Sequence, residues 1–262
     1  MHNRIEQCFA RLRDGKRKGF IPYICAGDPD LKCTVDLAFA LEESGADLLE
    51  LGLPFSDPLA DGIVNQLAAQ RALAAGASIR GVFECVREIR KKSQIPIVLY
   101  SYLNPIFQFG AEKFHGEAET AGVDGLLILD LPPEEDVDLP KTNVFHIRLI
   151  APTTPRARIE TIAENAKGFI YYVSLEGVTG AQSSVASSLP EKIAELKRIS
   201  NLPITVGFGI SNPEQAREVA RHADAIVVGS AIVDLIAKQG DKQVMIERVG
   251  AFAREIAGAV HG

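Results

Sequence analysis

The sequence has few cysteines and histidines, and they do not form the patterns that bind metals or build disulfide frameworks. Its four cysteines make no CxxC pair and form no cluster with the five scattered histidines. We therefore expect free thiols, as in a reducing cytoplasm, and no metal site. The first residues also lack the apolar core of a signal peptide, which favours a cytoplasmic location.

Long apolar runs and an excess of positive charge are missing too. Hydrophobic residues make up 47 % of the chain, but no segment approaches the ~18 apolar residues that a membrane span needs. The formal net charge of −6 argues against nucleic acid or an anionic membrane as the main partner. A site for a small anion would therefore have to use backbone amides more than a basic surface.

What the sequence does contain is a regular alternation of short apolar runs and helical patterns. Eight strands are expected, at residues 20–25, 47–51, 97–100, 125–129, 144–150, 168–174, 204–206 and 224–228. Several are apolar throughout, as strands of a parallel sheet covered by helices are. Eight such units in 262 residues predict an α/β fold: a single-domain (β/α)8 TIM barrel over residues 1–262, with an extra N-terminal helix at residues 5–13.

Helical patterns lie between these strands. They fall at residues 34–44, 64–75, 79–92, 111–121, 155–165, 190–200, 213–221 and 243–259, with a short helix near 134–138. A polar turn is expected through Tyr102 and Asn104-Pro105, and a long polar loop at residues 176–188. A long loop at the active face of a barrel is typical of a lid.

The loop at residues 50–62, after the second strand, carries the most chemical information. That strand ends in Glu50, where an apolar residue would cost less, and Asp61 closes the loop. Together the two carboxylates supply a proton-transfer group and a fixed negative charge, as acid–base chemistry requires. Structural alternatives stay open: Glu50 could bond neighbouring donors, Asp61 could cap the next helix, and Asp57 could stabilise a turn or contact a partner. No lysine lies in the predicted strands, which argues against a Schiff-base aldolase.

Glycines recur directly after the seventh and eighth strands, as Gly207-Phe208-Gly209 and Gly229-Ser230. In barrels of this class the loops after those strands often bind phosphate through backbone amides and a helix N-terminus. Tight turns alone are the alternative explanation. On the sixth strand Tyr171 and Tyr172 alternate, so one faces the barrel interior and the other faces the helices.

Taken together, these motifs closely resemble the tryptophan synthase alpha chain family, nearly end to end. The matching segments occur in the same order, at residues 26–29, 50–62, 130–132, 151–154, 177–180, 207–210 and 229–231. The resemblance implies a lyase that cleaves indole-3-glycerol phosphate, by a retro-aldol step, to indole and glyceraldehyde 3-phosphate. The catalytic carboxylates of the family fall on Glu50 and Asp61. Glu50 would move the protons, and Asp61 would bind the indole N–H and stabilise the cationic intermediate.

The resemblance also implies substrate-binding residues. Tyr171 would lie near the glycerol side chain, and Thr179, beside Gly180 in the lid, would position Asp61 when the lid closes. The phosphate site would consist of Gly207, Phe208, Gly209, Gly229 and Ser230. The indole pocket would be lined by Tyr23, Leu99, Leu127, Leu129, Ile150 and Val227.

A protein partner follows from the same resemblance. The family docks on a beta chain to form an α2β2 heterotetramer, and indole passes between the subunits through a tunnel. Asp57, Pro58, Asn104 and Pro105 fall in the segments that resemble the contact regions. Pyridoxal phosphate belongs to the beta chain, so no cofactor is expected here.

Three departures from the family pattern bear on activity. Ile63 stands where proline is usual, Asn65 replaces an apolar residue, and Glu176 occupies a position that is usually small. Proline would have stiffened the loop that carries Asp61, and an added lid carboxylate could repel the substrate phosphate. The alternative function is therefore a catalytically weakened alpha chain that acts mainly as an allosteric activator of the beta chain. An unrelated isomerase on a phosphate-binding barrel would need an acid–base pair elsewhere.

Overall fold

The barrel is closed and entirely parallel. The structure, a computed structural model, describes residues 3–173, 182–207, 209–238 and 240–262, with only the backbone described at 136–138 and 182–188. The strands are β1 (Gly19–Cys25), β2 (Leu49–Gly52), β3 (Ile97–Ser101), β4 (Gly125–Ile128), β5 (Phe145–Ile150), β6 (Ile170–Val173), β7 (Ile204–Gly207) and β8 (Ala225–Val228). Each pairs with the next in sequence and β8 pairs with β1, which confirms the predicted (β/α)8 barrel.

Helices follow the strands and cover the outside of the barrel. They are α1 (Arg4–Asp14), α2 (Leu31–Glu43), α3 (Ile63–Ala74), α4 (Ile79–Arg90), α5 (Leu103–Phe109), α6 (Ala111–Ala121), α7 (Arg156–Glu164), α8 (Gln182–Ile199), α9 (Pro213–Ala220), α10 (Ser230–Ala237) and α11 (Lys242–His261). A 3-10 helix spans Pro133–Asp138. Side-chain caps set several of the starts. For example, the Asp30 carboxylate accepts a hydrogen bond from the Cys33 N–H, so α2 begins at Leu31 rather than at residue 34.

Three helical segments differ from the sequence prediction. The expected polar turn at Asn104-Pro105 is instead the start of α5. Proline is tolerated there because the N–H groups of a first helical turn make no hydrogen bond within the helix. Helix α10, directly after β8, was not expected. Helix α8 begins at Gln182 and runs through Pro190, so residues 182–188 are helical rather than loop. The rest of the expected loop, residues 176–181, lies outside the described residues.

Alternation along each strand separates an inner layer from an outer layer. Inward residues such as Val98, Leu127 and Ile147 fill the barrel, whereas Leu49, Leu51 and their outward neighbours pack against the helices. Helix α1 lies at the end of the barrel where the strands begin and buries Ile5, Cys8, Phe9 and Leu12. All four cysteines are free and buried, as expected.

The described residues offer neither a candidate membrane span nor a candidate metal site. Within these ranges no helix is long and apolar enough to cross a membrane. The same ranges contain no group of three or more histidine, cysteine, aspartate or glutamate side chains placed to hold a metal ion.

Candidate active site

Glu50 lies inside the barrel as a buried carboxyl group. Its position on β2 pairs in register with Tyr23 on β1 and with Val98 on β3, and the residue is 2 % exposed. Among the described residues none donates a hydrogen bond to its carboxylate. Burial, and secondarily the charge of Asp61, raise the pKa of Glu50 to about 8. Glu50 therefore carries a proton at neutral pH.

Asp61 is a half-buried carboxylate held at both oxygens. The Tyr100 hydroxyl donates to Oδ1 at 2.9 Å and the Tyr102 hydroxyl donates to Oδ2 at 2.7 Å. Burial raises the pKa of Asp61, and hydrogen bonds from Tyr102, Tyr100 and Asn65 oppose that rise. Since these donors favour the charged form, Asp61 is supported as an anion where Glu50 is not.

The loop that carries Asp61 is fixed by further hydrogen bonds. The Ala60 N–H donates to the Tyr102 hydroxyl at 2.9 Å, and the Gln66 amide donates to the Asp61 carbonyl oxygen at 2.8 Å. Ile63, at the first position of α3, is 67 % exposed, so its side chain does not displace the loop. Asn65, the second departure, supplies a hydrogen bond to Asp61. These contacts hold the loop without the usual proline.

The inner layer around Glu50 contains part of the predicted indole pocket. Tyr23, Leu127, Tyr171 and Val227 belong to this layer, and Leu129 packs against it. Tyr23 also contacts the Tyr100 ring edge-on, with ring centroids 5.2 Å apart. The carboxyl of Glu50 thus lies among aromatic and aliphatic side chains.

Two predicted pocket residues face the wrong way. Leu99 packs with Ile97 in the layer between barrel and helices, and Ile150 packs with Ile170 on the outer side of β5 and β6. Successive strand residues point to opposite faces, so an assignment that is one residue out of register puts a side chain on the opposite face. On β3 the inward neighbour is Tyr100.

Glycines next to two inward tyrosines leave room for their hydroxyls. A Cβ at Gly52 would collide with the Tyr23 hydroxyl, and a Cβ at Gly207 would collide with the Tyr171 hydroxyl. Gly207 is therefore required by side-chain packing inside the barrel, independently of any role toward an anion.

The predicted phosphate loops end two adjacent strands. Gly207 is the last residue of β7, Gly209 has φ +77, and Gly229 directly precedes α10, whose first residue is the exposed Ser230. The first amides of a helix have no partner within the helix, so they are donors for an anion. The predicted residues Phe208, Thr179 and Gly180, and the departure Glu176, lie outside the described residues.

Tyr100 and Tyr102 are the site residues that the sequence reasoning missed, whereas it had placed Tyr23 and Tyr171 in the site. The chain has five tyrosines, and Tyr23, Tyr100, Tyr102 and Tyr171 surround the two carboxyl groups. Tyr100 follows inward Val98 by two residues, so period-two alternation at the end of β3 would have placed it inside.

Exposed apolar side chains occur in the Asp61 loop and on α5, the helix that follows Tyr102. Leu59 is 92 % exposed, and Phe107 on α5 is 70 % exposed. Of the predicted partner contacts, Asp57 and Asn104 are exposed and Pro58 is partly exposed, but Pro105 is buried within this chain. Pro105 is therefore not available to a partner, because it lies on the inner side of α5.

Comparisons with known proteins agree with this geometry. The family model for the tryptophan synthase alpha chain matches residues 9–261. The chain is 49 % identical over 259 residues to the tryptophan synthase alpha chain of Opitutus terrae, covering 97 % of each protein. It is 47 % identical over 254 residues to that of Citrifermentans bemidjiense, covering 95 % of each.

Solved structures give the same result. Tryptophan synthase subunit alpha from Legionella pneumophila matches with a TM-score of 0.87 at 39 % identity, covering 99 % of each chain. A chain of tryptophan synthase from M. tuberculosis, in its aminoacrylate-bound form, matches with a TM-score of 0.88 at 30 % identity, covering 99 % of this chain and all of that one. The chain therefore belongs to the tryptophan synthase alpha chain family, whose activity is the cleavage of indole-3-glycerol phosphate to indole and glyceraldehyde 3-phosphate.

Proposed function

We propose that Glu50 and Asp61 perform this cleavage in this chain, Glu50 as the proton-transfer group and Asp61 as the fixed negative charge. The observation that carries the proposal is the contrast between their surroundings. Glu50 is buried with a pKa of about 8, whereas two tyrosine hydroxyls donate to the Asp61 carboxylate. Two carboxyl groups in such different surroundings suit one acid and one anion.

The reaction needs a proton delivered and a proton removed. Protonated Glu50 donates to C3 of the indole ring, which makes a cationic indolenine. The hydroxyl on the adjacent side-chain carbon then loses its proton to ionised Glu50. The carbon–carbon bond breaks, its electron pair returns to the ring, and the aldehyde leaves with the phosphate. A group with a pKa of about 8 moves protons in both directions near neutral pH.

Asp61 acts on the charge that develops in the ring. Its carboxylate accepts the indole N–H, which becomes more acidic as the ring becomes cationic. Because both oxygens are already bonded, little reorganisation is needed when the charge appears. Tyr23, Leu127, Leu129 and Val227 surround the ring, and Tyr171 lies near the glycerol portion.

Substrate phosphate binds at the ends of β7 and β8. Gly209 allows a left-handed backbone, and the first amides of α10 from Ser230 face the same end. With a net charge of −6, the chain depends on this local helix dipole rather than on its overall field.

The chain acts with a beta chain as an α2β2 complex in the cytoplasm, and indole passes to that partner. The exposed apolar side chains of Leu59, Ile63 and Phe107 would form the docking surface, since exposed apolar side chains near a site are typical of an interface. Asp57, Pro58 and Asn104 adjoin this surface. Pyridoxal phosphate stays in the beta chain, and this chain uses no cofactor.

Indole release from indole-3-glycerol phosphate tests the catalytic roles. We expect wild-type turnover to rise on addition of saturating beta chain, and Glu50→Gln to lower kcat by roughly 10²–10⁴-fold. Glu84→Gln, an exposed replacement on α4, is the matched control and should leave kcat unchanged.

The other outcomes are equally informative. Unchanged turnover in Glu50→Gln would exclude Glu50 as the proton-transfer group. No wild-type turnover, with beta-chain activity still stimulated, would mean that the chain acts as an activator only.

A further inference from the structure

We propose that Tyr100 is a positioning residue for the cleavage: its hydroxyl fixes the orientation of the Asp61 carboxylate. This inference rests on the proposed function of Asp61. Tyr100 is 7 % exposed and lies on β3, on the inner face, with its hydroxyl 2.9 Å from Asp61 Oδ1. It was assigned no role from the sequence.

Two donors on different oxygens determine the carboxylate plane. One hydrogen bond leaves the group free to rotate about the Cβ–Cγ bond, whereas bonds to both oxygens do not. Tyr102 bonds Oδ2 at 2.7 Å but comes from the residue after β3, and its hydroxyl also accepts the Ala60 N–H. Tyr100 is the donor that ties Asp61 to the barrel wall itself.

The ring of Tyr100 is in turn held by the inner layer. It contacts Tyr23 edge-on at a centroid distance of 5.2 Å and an interplanar angle of 68°. Tyr23 pairs in register with Glu50. A contiguous set of side chains therefore connects the proton-transfer group to the carboxylate that must face the same ring.

The titratable groups around Asp61 explain why its carboxylate needs the Tyr100 hydroxyl as a hydrogen-bond donor. Among the described residues these groups lie on β1, β2, β3 and β6 and directly after β3, and none of them is cationic: Tyr23, Cys25, Glu50, Tyr100, Tyr102 and Tyr171. With no counter-charge among these groups, the anionic form of Asp61 relies on hydrogen-bond donors. Removing one donor should make the carboxylate both less oriented and harder to ionise.

Tyr100→Phe tests the role and keeps the ring and its contact with Tyr23. The matched control is Tyr172→Phe, which removes a buried tyrosine hydroxyl from the helix-facing side of β6. In protein labelled with ¹³C at aspartate carboxyls, Asp61→Asn identifies the Asp61 resonance. We expect the pKa of Asp61 to rise in Tyr100→Phe and to be the same as wild type in Tyr172→Phe.

Kinetics supply the second measurement. With saturating beta chain, kcat for indole release should fall roughly tenfold in Tyr100→Phe, the loss expected for one hydrogen bond to a charged group. KM should change less than kcat, and the acidic limb of the pH–rate profile should move to higher pH.

Two results would overturn the proposal. One is an Asp61 titration that is the same in Tyr100→Phe and wild type, and the other is a shifted titration with unchanged kcat and pH profile. Because the titration needs no turnover, a chain without lyase activity would refute the proposed function while still reporting whether Tyr100 holds Asp61.

Discussion

Glu50 and Asp61 carry the same chemical group in different surroundings: burial raises the pKa of both, but only Asp61 receives hydrogen bonds that oppose the rise. Glu50 is enclosed by aromatic and aliphatic side chains without a described donor, so burial favours the neutral acid. Asp61 receives two hydroxyl donors at its two oxygens. At the scale of single residues, the site therefore contrasts a buried carboxyl group that has no described donor with one whose two oxygens both accept hydrogen bonds.

The raised pKa of Glu50 makes the stability of the protein depend on pH. In the unfolded chain Glu50 ionises near 4.5, whereas the native state keeps the proton up to about 8. Between these two pH values the native state binds more protons than the unfolded chain does. The contribution of Glu50 to stability is therefore fully present below pH 4.5 and is lost by pH 8. The Glu50→Gln variant has no carboxyl group at this position and should not lose stability in this way. At pH 7 the free energy of unfolding of the variant should exceed that of wild type by roughly 3 kcal/mol.

Urea unfolding of both proteins from pH 4 to pH 8 measures the difference. We expect the two proteins to be nearly equal at pH 4 and to diverge as the pH rises. Glu84→Gln, on the exposed face of α4, should show no such divergence. A constant difference across the range would mean that Glu50 ionises normally in the native state.

At the scale of elements, a buried carboxylate helps to hold the end of the barrel opposite the site. Asp124, 3 % exposed, accepts hydrogen bonds from Arg90 at 2.7 Å, from Arg4 at 2.9 Å and from the Ile97 N–H at 2.8 Å. It therefore joins α1 and α4 to the start of β3. In this fold the catalytic residues usually lie at one end of the barrel, and residues at the other end contribute to stability.

Asp124→Asn should destabilise the protein without impairing catalysis. The substitution leaves Arg90 buried without a counter-charge, in a setting where burial already lowers the pKa of Arg90 to about 10. We expect a loss of roughly 2–4 kcal/mol in the free energy of unfolding, measured by urea denaturation.

Glu88→Gln is the control for the loss of an acidic partner. It breaks the exposed pair with Lys91 and should change the free energy of unfolding by less than about 0.5 kcal/mol. Below its unfolding temperature, Asp124→Asn should release indole at the wild-type rate. Equal stability of Asp124→Asn and wild type would show that the end of the barrel does not depend on this carboxylate.

The elements differ in how far the sequence predicts them. The eight strands follow from apolar runs, because burial on both faces demands them. Helix α8 was predicted to begin at Pro190, but its backbone is helical from Gln182 and continues through that proline. The apolar pattern of α10 is only eight residues long, which is too short for periodicity to identify a helix.

The site residues show the same limit at finer scale. Glu50 and Asp61 were identified because carboxylates in an apolar strand end and a proline-rich loop are unusual. Leu99 was misplaced because an apolar strand shows no visible difference between its two faces. Ile150 alternates with His146 and Arg148 on β5, so period-two alternation would have placed it on their outer face. The bonds from Tyr100 and Tyr102 to Asp61 depend on side-chain directions that the sequence does not contain.

At the scale of the whole molecule, the exposed apolar surface beside the site predicts where the beta chain binds. Leu59 and Phe107 are 92 % and 70 % exposed, so neither contributes packing to the free chain. The double substitution Leu59→Ser/Phe107→Ser should therefore leave the free energy of unfolding within about 0.5 kcal/mol of wild type. Affinity for the beta chain, measured by calorimetry, should fall roughly 100-fold, because buried aromatic and aliphatic anchors dominate interface energies.

Val244→Ser separates this surface from exposed apolar residues in general. Val244 is 49 % exposed and lies on α11 rather than near the Asp61 loop, so its replacement should leave the affinity unchanged. The double variant should also release indole at the basal rate when alone, yet gain no stimulation at beta-chain concentrations that saturate wild type. Wild-type affinity in the double variant would mean that the beta chain binds elsewhere. The exposed apolar side chains of Leu59 and Phe107 would then serve a different contact.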